Sequence, residues 1–252
     1  MILDSTSVWL LCGIFFAVAA LYSSVGHAGA SGYLATMALL GVAPETMRPT
    51  ALTLNILVAT IATLRFSGAG QVRWRALWPF VAGSVPMAAV GGASRLHDRS
   101  YYIILGFALL ASAVVLFWRA RRAAPTRLDE TVHIPIGPAL AIGAGIGLLS
   151  GLTGTGGGIF LSPIVLLAGW AGPIATAGIA APFILANSTT ALIAGASSWA
   201  DLPSQLPWFI GAVLLGGLCG TWIGLRRLPA SALFVALSIV LVIAALKLFI
   251  AP

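Results

Sequence analysis

The chain has 252 residues, 60% of them apolar and only 8% charged, and its mean hydropathy is +1.04. A soluble domain carries about 25% charged residues, so this composition excludes one, and the long Leu, Ala, Ile and Val runs lack the alternation a membrane β-barrel needs. The net charge of +7, from 13 basic and 6 acidic residues, falls at the ends of apolar segments, where membrane topology explains it better than nucleic-acid binding does.

Ten apolar segments are predicted, at 7–25, 30–43, 48–66, 76–93, 100–118, 134–152, 157–170, 174–198, 207–225 and 230–250. At about 20 residues per crossing the chain has room for all ten. The first is no cleavable signal: Asp4 precedes it without Lys or Arg, and the apolar pattern simply continues. A glycine-rich break, Gly26–Gly32 (GHAGASG), follows it and leads into the short segment 30–43. The third segment opens with Arg48 and Pro49 and carries Asn55. After the fifth comes the longest hydrophilic stretch, 119–133, read as a linker. The sixth runs into a second break, Gly151–Gly158 (GLTGTGGG), followed by the short segment 157–170 with Pro163, and the eighth carries Asn187 and Ser188.

Cys12 and Cys219 lie inside apolar segments without CxxC spacing and read as buried free thiols. Trp74, Trp78, Tyr101, Tyr102, Trp118, Trp170, Trp199 and Trp208 fall near segment ends and read as an interfacial belt with no ligand role.

The two halves resemble each other. A shift of 128 places Gly26 on Gly154 and Ala28–Ala30 on Gly156–Gly158; a shift of 132 places Asn55 on Asn187 and Ala59 on Ala191. The change of shift predicts a four-residue insertion in the Ala168–Ala177 connection. The expected fold is therefore an all-α polytopic membrane protein of two repeats, 1–120 and 134–252, joined by a basic cytoplasmic linker at 121–133. A repeat of five segments must invert its membrane orientation on duplication, a recurring design of secondary transporters. With ten crossings, Arg65, Arg73, Arg75, Arg119, Arg121, Arg122, Arg127, Arg226 and Arg227 share one side; Arg48, Arg95, Arg99 and Lys247 share the other. The positive-inside rule makes the first side cytoplasmic and both termini extracytoplasmic. Eight crossings, with the two short segments re-entering, is the alternative.

The breaks are the candidate site. Glycines do not hold a helix, but they can turn backbone N–H groups toward one point, and the helix that follows adds its positive end. The substrate-binding candidates are Gly26, His27, Gly29 and Ser31 in the first break and Thr153, Gly154, Thr155, Gly156, Gly157 and Gly158 in the second, with Arg48, Asn55, Asn187 and Ser188 alongside. Gly143–Gly147 and Gly216–Gly220 read instead as close helix packing. The six acidic residues, Asp4, Glu45, Asp98, Asp129, Glu130 and Asp201, all lie outside the apolar stretches, which favours an anion over a cation as cargo. Arg48 either draws anions to the site or reaches the interface, with Glu45 as a partner.

The Gly151–Pro163 motif and Asn187–Thr190, with first-half echoes at Val25–Leu34 and Thr50–Asn55, resemble the TauE/SafE sulfite exporter (TSUP) family over nearly the whole chain. The resemblance implies an exporter of sulfite or a small organosulfur anion, without a cofactor and coupled to a proton or other ion gradient, in a plasma or bacterial inner membrane. Its partners would be the anion and the bilayer, with no nucleic acid; a homodimer stays open. His27, Ala28, Ala30 and Ser31 depart from the family's glycine-richer first motif. Of a different class is an intramembrane serine protease using Ser31 in the GxSG pattern Gly29–Gly32, which needs a histidine base; only His27 lies in an apolar context. A cation permease is the rival within transport.

Overall fold

A computed structural model describes residues 5–24, 26–121, 132–224 and 231–250. Val25, most of the expected linker (122–131, with Arg122 and Arg127) and Arg226 and Arg227 lie outside the described residues. The described chain is all helix and connection: α1 Ser5–Ser23, α2 Ala30–Leu39, α3 Pro44–Gly68, α4 Trp74–Ala93, α5 Asp98–Arg121, α6 Ile136–Thr153, α7 Gly158–Leu167, α8 Pro173–Ala194, α9 Leu206–Gly224 and α10 Ser231–Ile250, with a 3₁₀ turn at Ala196–Asp201 before α9.

Five of these are long and apolar enough to cross a membrane on the described residues: α3, α4, α5, α6 and α8. Large apolar side chains such as Leu64, Phe107, Val114 and Leu215 stand on the outside of the bundle, as a lipid-facing surface requires. Cys219 is also exposed and Cys12 partly so; neither is fully buried. Both thiols are free, but neither is the buried core residue the sequence suggested.

Helix partners follow the repeat. α4 lies along α6 and α1 along α9; α4 and α3 pack on α8 and α9 in the same exchanged way; α5 and α10 pair with each other, as do α3 and α8. Glycine makes the closest of these contacts. Gly143, Gly147 and Gly151 of α6 rest on the backbones of Phe80, Ser84 and Ala88 in α4, and Gly216 and Gly220 of α9 on Phe16 and Ala20 in α1. The four-residue spacing on both members keeps two helices parallel and nearly touching, the packing that replaces hydrophobic burial in lipid. Gly145 touches nothing, so within the Gly143–Gly147 stretch only every fourth residue packs.

These contacts fix the topology. α1 starts beside the start of α9 through the Trp9–Trp208 ring contact at 5.6 Å, and that end also holds the end of α4, where Gly195 meets Gly92. α6 runs parallel to α4 and so starts at the opposite end. The two halves therefore enter the bundle from opposite ends and are inverted. α1 ends beside Gly220, toward the end of α9, whereas α2 ends at Leu39, whose carbonyl takes the Lys247 ammonium at 2.8 Å near the end of α10. The first break with α2 thus carries the chain from one end of the bundle to the other. α7 returns likewise, since the Trp170 carbonyl after it accepts the His133 N–H ahead of α6 at 3.0 Å. Ten traverses fit this arrangement and eight do not. At 10 residues each, α2 and α7 are about 15 Å long, half a span, so the unwound breaks supply the rest of their traverse.

The repeat equivalence reaches backbone detail. Gly26 and Gly154 have φ of 79° and 82°, Gly29 and Gly157 of 99° and 77°, Gly41 and Gly169 of 72° and 66°; each pair is 128 residues apart. All lie in the left-handed region open mainly to glycine. The insertion in the second half falls in two places, before and within the start of α8. One extra residue lies between Gly169 and Pro173, and three, nearly one turn, extend the start of α8. Proline at the first position of α3 and α8, where no N–H is needed, starts both helices.

Candidate functional site

The two breaks lie together inside the bundle, and Asn55 is the reason they can be described as one site. It is buried in the middle of α3. Its Oδ1 accepts the N–H of Ala30, the first residue of α2, at 3.2 Å. Its Nδ2 donates to Ser188 Oγ in α8 at 3.1 Å and reaches the Thr155 carbonyl in the second break at 3.5 Å. One amide thus caps the helix after the first break and ties down the second. Gly156, with φ of 75°, lies so close that a Cβ there would overlap the Asn55 amide and press on Ser188. Its repeat counterpart is Ala28, so this close approach exists on one side only.

A second link joins the halves. His27 Nε2 and Ser162 Oγ of α7 are hydrogen-bonded at 2.9 Å, both buried. Ser31 pairs with the Tyr22 hydroxyl at 2.7 Å, and Tyr33 donates to the Ala28 carbonyl at 2.8 Å. Ser31 therefore spends its hydroxyl on a tyrosine, which gives no support to a nucleophile in the GxSG pattern. Gly26 seats against Ala177 at the start of α8, and Gly29 against Tyr33 and Val18.

In the second break, Gly154 ends α6 and Gly157 precedes α7, both left-handed. Thr153 Oγ1 donates to the Leu149 carbonyl at 2.7 Å and lies 3.0 Å from Thr155 Oγ1, so the two threonines brace the loop. Gly158 packs on Ile184 and Gly157 between Ile146 and Phe183. Asn187, in the place of Asn55, donates to the Phe183 carbonyl of its own helix at 2.9 Å.

Arg48 spends its guanidinium on backbone carbonyls. Its guanidinium donates to the carbonyls of Gly91 and Ser94, each at 2.9 Å, and to that of Gly92. It thus satisfies the orphan acceptors at the end of α4, where a cation also meets the negative end of the helix dipole. No ion pair with Glu45 occurs among the described residues. Arg48 nevertheless stays beside the site, because its stem and backbone meet Gly154. Tyr101 reads from sequence as an interfacial-belt residue. The structure buries it, with its hydroxyl donating to the Thr153 carbonyl at 3.2 Å. Trp74, Trp78, Trp199 and Trp208 are exposed as a belt requires.

Arg48 and Tyr101 form the inner wall of a cavity of about 310 Å³ that also touches Ser94, Asp98, Ser198 and Asp201. It lies at the end of the bundle where α3 and α5 begin and α4 and α8 finish, directly above Thr153 and Gly154. The site thus has an approach from one end, walled from the second break by one arginine and one tyrosine. Among the described residues no cluster of His, Cys, Asp or Glu could hold a metal ion.

Of the sequence candidates, Asn55, Ser188, Thr155 and Gly156 meet directly, with the Ala30 N–H as a further partner of Asn55; His27 joins through Ser162, and Arg48 borders through Gly154. Tyr22, Tyr101 and Ser162 carry no site signal in the sequence: the partners of Tyr101 and Ser162 lie far away in the chain, and Tyr22 meets Ser31 across the first break.

Inverted halves, half-length helices and paired internal breaks define an integral, multi-pass membrane protein of the transporter class. The sulfite exporter TauE/SafE family model matches residues 11–248, and the chain belongs to that family. It is 44% identical over 234 residues to the probable membrane transporter protein y4hK of Sinorhizobium fredii (strain NBRC 101917 / NGR234), covering 93% of this chain and 95% of that protein. No solved structure matches.

Proposed function

We propose that this membrane transporter exports sulfite or a small organosulfur anion by alternating access, with the anion held where the two glycine breaks meet. The observation that carries this is Asn55, bonded at once to the first residue of α2 and to the second break. A side chain that holds both breaks registers any rocking of one half against the other. The breaks bring α2 and α7 to the interior N-terminus first, so both positive helix ends face the same region without a buried side-chain cation. α6, α7 and α8 contain no charged residue at all, which suits an anion held by backbone dipoles better than a cation held by carboxylates.

The inverted halves supply the two states: the cavity above Arg48 and Tyr101 is the approach from one side, and a matching opening at the other end is the second state. By the nine-to-four basic split of the sequence, the cavity end is extracytoplasmic, and the protein sits in a plasma or bacterial inner membrane with both termini outside. His27, the histidine within the breaks, carries the coupling proton. The test is a thermal-shift screen of purified protein with sulfite, thiosulfate, sulfoacetate, taurine and simple carboxylates, followed by flux in proteoliposomes. Stabilisation and flux with sulfur oxyanions support the reading; a response to carboxylates alone contradicts it.

A further inference from the structure

The two breaks are equivalent in backbone but not in how their polar groups are paired. At the first, Tyr22 bonds Ser31 and Asn55 Oδ1 takes the Ala30 N–H. At the second, the counterparts are left over. Among the described residues, Ser150 stands in the place of Tyr22 and its fully buried hydroxyl has no partner; Asn187 stands in the place of Asn55, and its fully buried Oδ1 has none either. Gly157 has no side chain to cap α7, and among the described residues no side chain accepts from its first N–H groups. Phe160 and Leu161 return their N–H groups to the Gly157 carbonyl, which leaves those of Gly158 and Ile159 ahead of them as the orphans of the helix start.

A Cβ on Gly157 would lie 3.4 Å from Ser150 Cβ and 3.1 Å from the ring of Phe183, the residue whose carbonyl holds the Asn187 amide. A third buried hydroxyl without a partner, Ser84 of α4, belongs to a residue whose backbone meets Gly147 of α6, one turn before Ser150. Buried polar groups are nearly always paired. Of the five buried side-chain atoms without a partner among the described residues, two, on Thr50 and Thr63, belong to α3, and the other three stand on α4, α6 and α8, helices that pack on one another.

The donors and acceptors there define which ligand would fit. The α7 N–H groups donate to an anion, and the Ser150 hydroxyl can join them. Asn187 Oδ1 only accepts, and its orientation is fixed, because a flipped amide would set its oxygen against the Phe183 carbonyl. An anion without hydrogen would leave that oxygen facing negative charge. Charge is limited too: α4 brings only Arg75, in its first turn, and Arg48 is committed to carbonyls. The desolvation cost of an ion climbs steeply with its charge, so a dianion finds too little compensation here.

We propose that the second break is where the anion sits, and that it selects a singly charged oxyanion still carrying a hydrogen-bond donor, such as hydrogensulfite. The donor goes to Asn187 Oδ1, and the anionic oxygens accept from the start of α7 and from Ser150. This rests on the reading of the protein as a sulfur-oxyanion transporter and adds which ionic form it takes.

His27 on Ser162, Tyr101 on the Thr153 carbonyl and Arg48 beside Gly154 are the titratable or charged groups that reach this region, so the test holds pH constant. Binding of hydrogensulfite, methanesulfonate and sulfate to the purified full chain is measured by calorimetry at one mildly acidic pH. Methanesulfonate has the same single charge and no donor; sulfate has two charges. Hydrogensulfite binds about tenfold more tightly than methanesulfonate, and sulfate weakest of the three. Asn187→Leu removes the hydrogensulfite advantage and leaves methanesulfonate unchanged; Ser150→Ala, which deletes one oxygen and keeps the fold, weakens both monoanions about fivefold. An advantage that survives Asn187→Leu, an inert Ser150→Ala, or sulfate binding as tightly as hydrogensulfite overturns the proposal while leaving the transporter reading intact. If no sulfur oxyanion binds at all, both fall.

Discussion

The Nε2 of His27 lies 2.9 Å from the Ser162 hydroxyl, so the first break of one half is bonded to the short helix of the other. Imidazole is the one side chain that changes charge near neutral pH without special help, and here it sits on the seam between the halves. His27→Gln keeps a hydrogen-bonding group toward Ser162 and removes the proton. The variant is expected to fold and to transport, but with flux that no longer varies with the imposed proton gradient in proteoliposomes. Gradient-dependent flux unchanged from the parent protein removes His27 from coupling.

Asn55→Leu leaves the Ala30 N–H, the Ser188 hydroxyl and the Thr155 carbonyl without their shared partner. Each buried orphan costs about 1–3 kcal/mol, so the variant is expected to melt well below the parent protein in detergent and to lose flux. Asn55→Asp keeps the acceptor for Ala30 but turns a second carboxyl oxygen toward the Thr155 carbonyl at a buried position, so it too is expected to melt below the parent protein. Both thermal midpoints falling below that of the parent checks the geometry.

Gly156→Ala puts a methyl into the Asn55 amide on a backbone with φ of 75°. Gly169→Ala meets the same left-handed backbone, φ 66°, in open space. The backbone strain common to both is about 1 kcal/mol; the collision is peculiar to Gly156. Flux is expected to vanish in Gly156→Ala and to persist in Gly169→Ala at comparable expression.

Gly147→Ile and Gly145→Ile separate packing from lipid exposure on one helix. Gly147 rests on the backbone of Ser84, where no side chain fits, while Gly145 has nothing near it. The first change forces α4 and α6 apart at a cost of at least about 3 kcal/mol and is expected to abolish the monodisperse peak in size-exclusion chromatography. The second leaves that peak unchanged.

Much of this architecture is legible in the chain because glycine spacing carries it. Gly26 and Gly29 against Gly154 and Gly157 give the breaks, their equivalence and the short helices after them, since only glycine makes that backbone cheap. The positions of Asn55 and Asn187 are legible for the same reason: an amide in an apolar run has to find partners. Which partners is not legible. Arg48 reads as an anion attractor or an interfacial charge, with Glu45 as a partner, because the carbonyls of Gly91, Gly92 and Ser94 that consume it have no signature in sequence. Tyr101 reads as a belt residue because proximity to a segment end says nothing of which face it occupies, and Cys219 reads as buried because an all-apolar helix does not announce its lipid side. The contrast between a paired first break and an unpaired second one needs the fold, because Tyr22 and Ser150 are unrelated residues until they are superposed.

The central claim is that sulfur oxyanions cross the membrane through the place where the breaks meet. Uptake of radiolabelled sulfite into proteoliposomes, followed side by side for the parent protein, Gly156→Ala and Gly169→Ala, tests it most directly. Saturable uptake by the parent protein and by Gly169→Ala, with none above empty vesicles for Gly156→Ala, is the predicted result. Equal uptake by all three, or none by the parent protein, contradicts it.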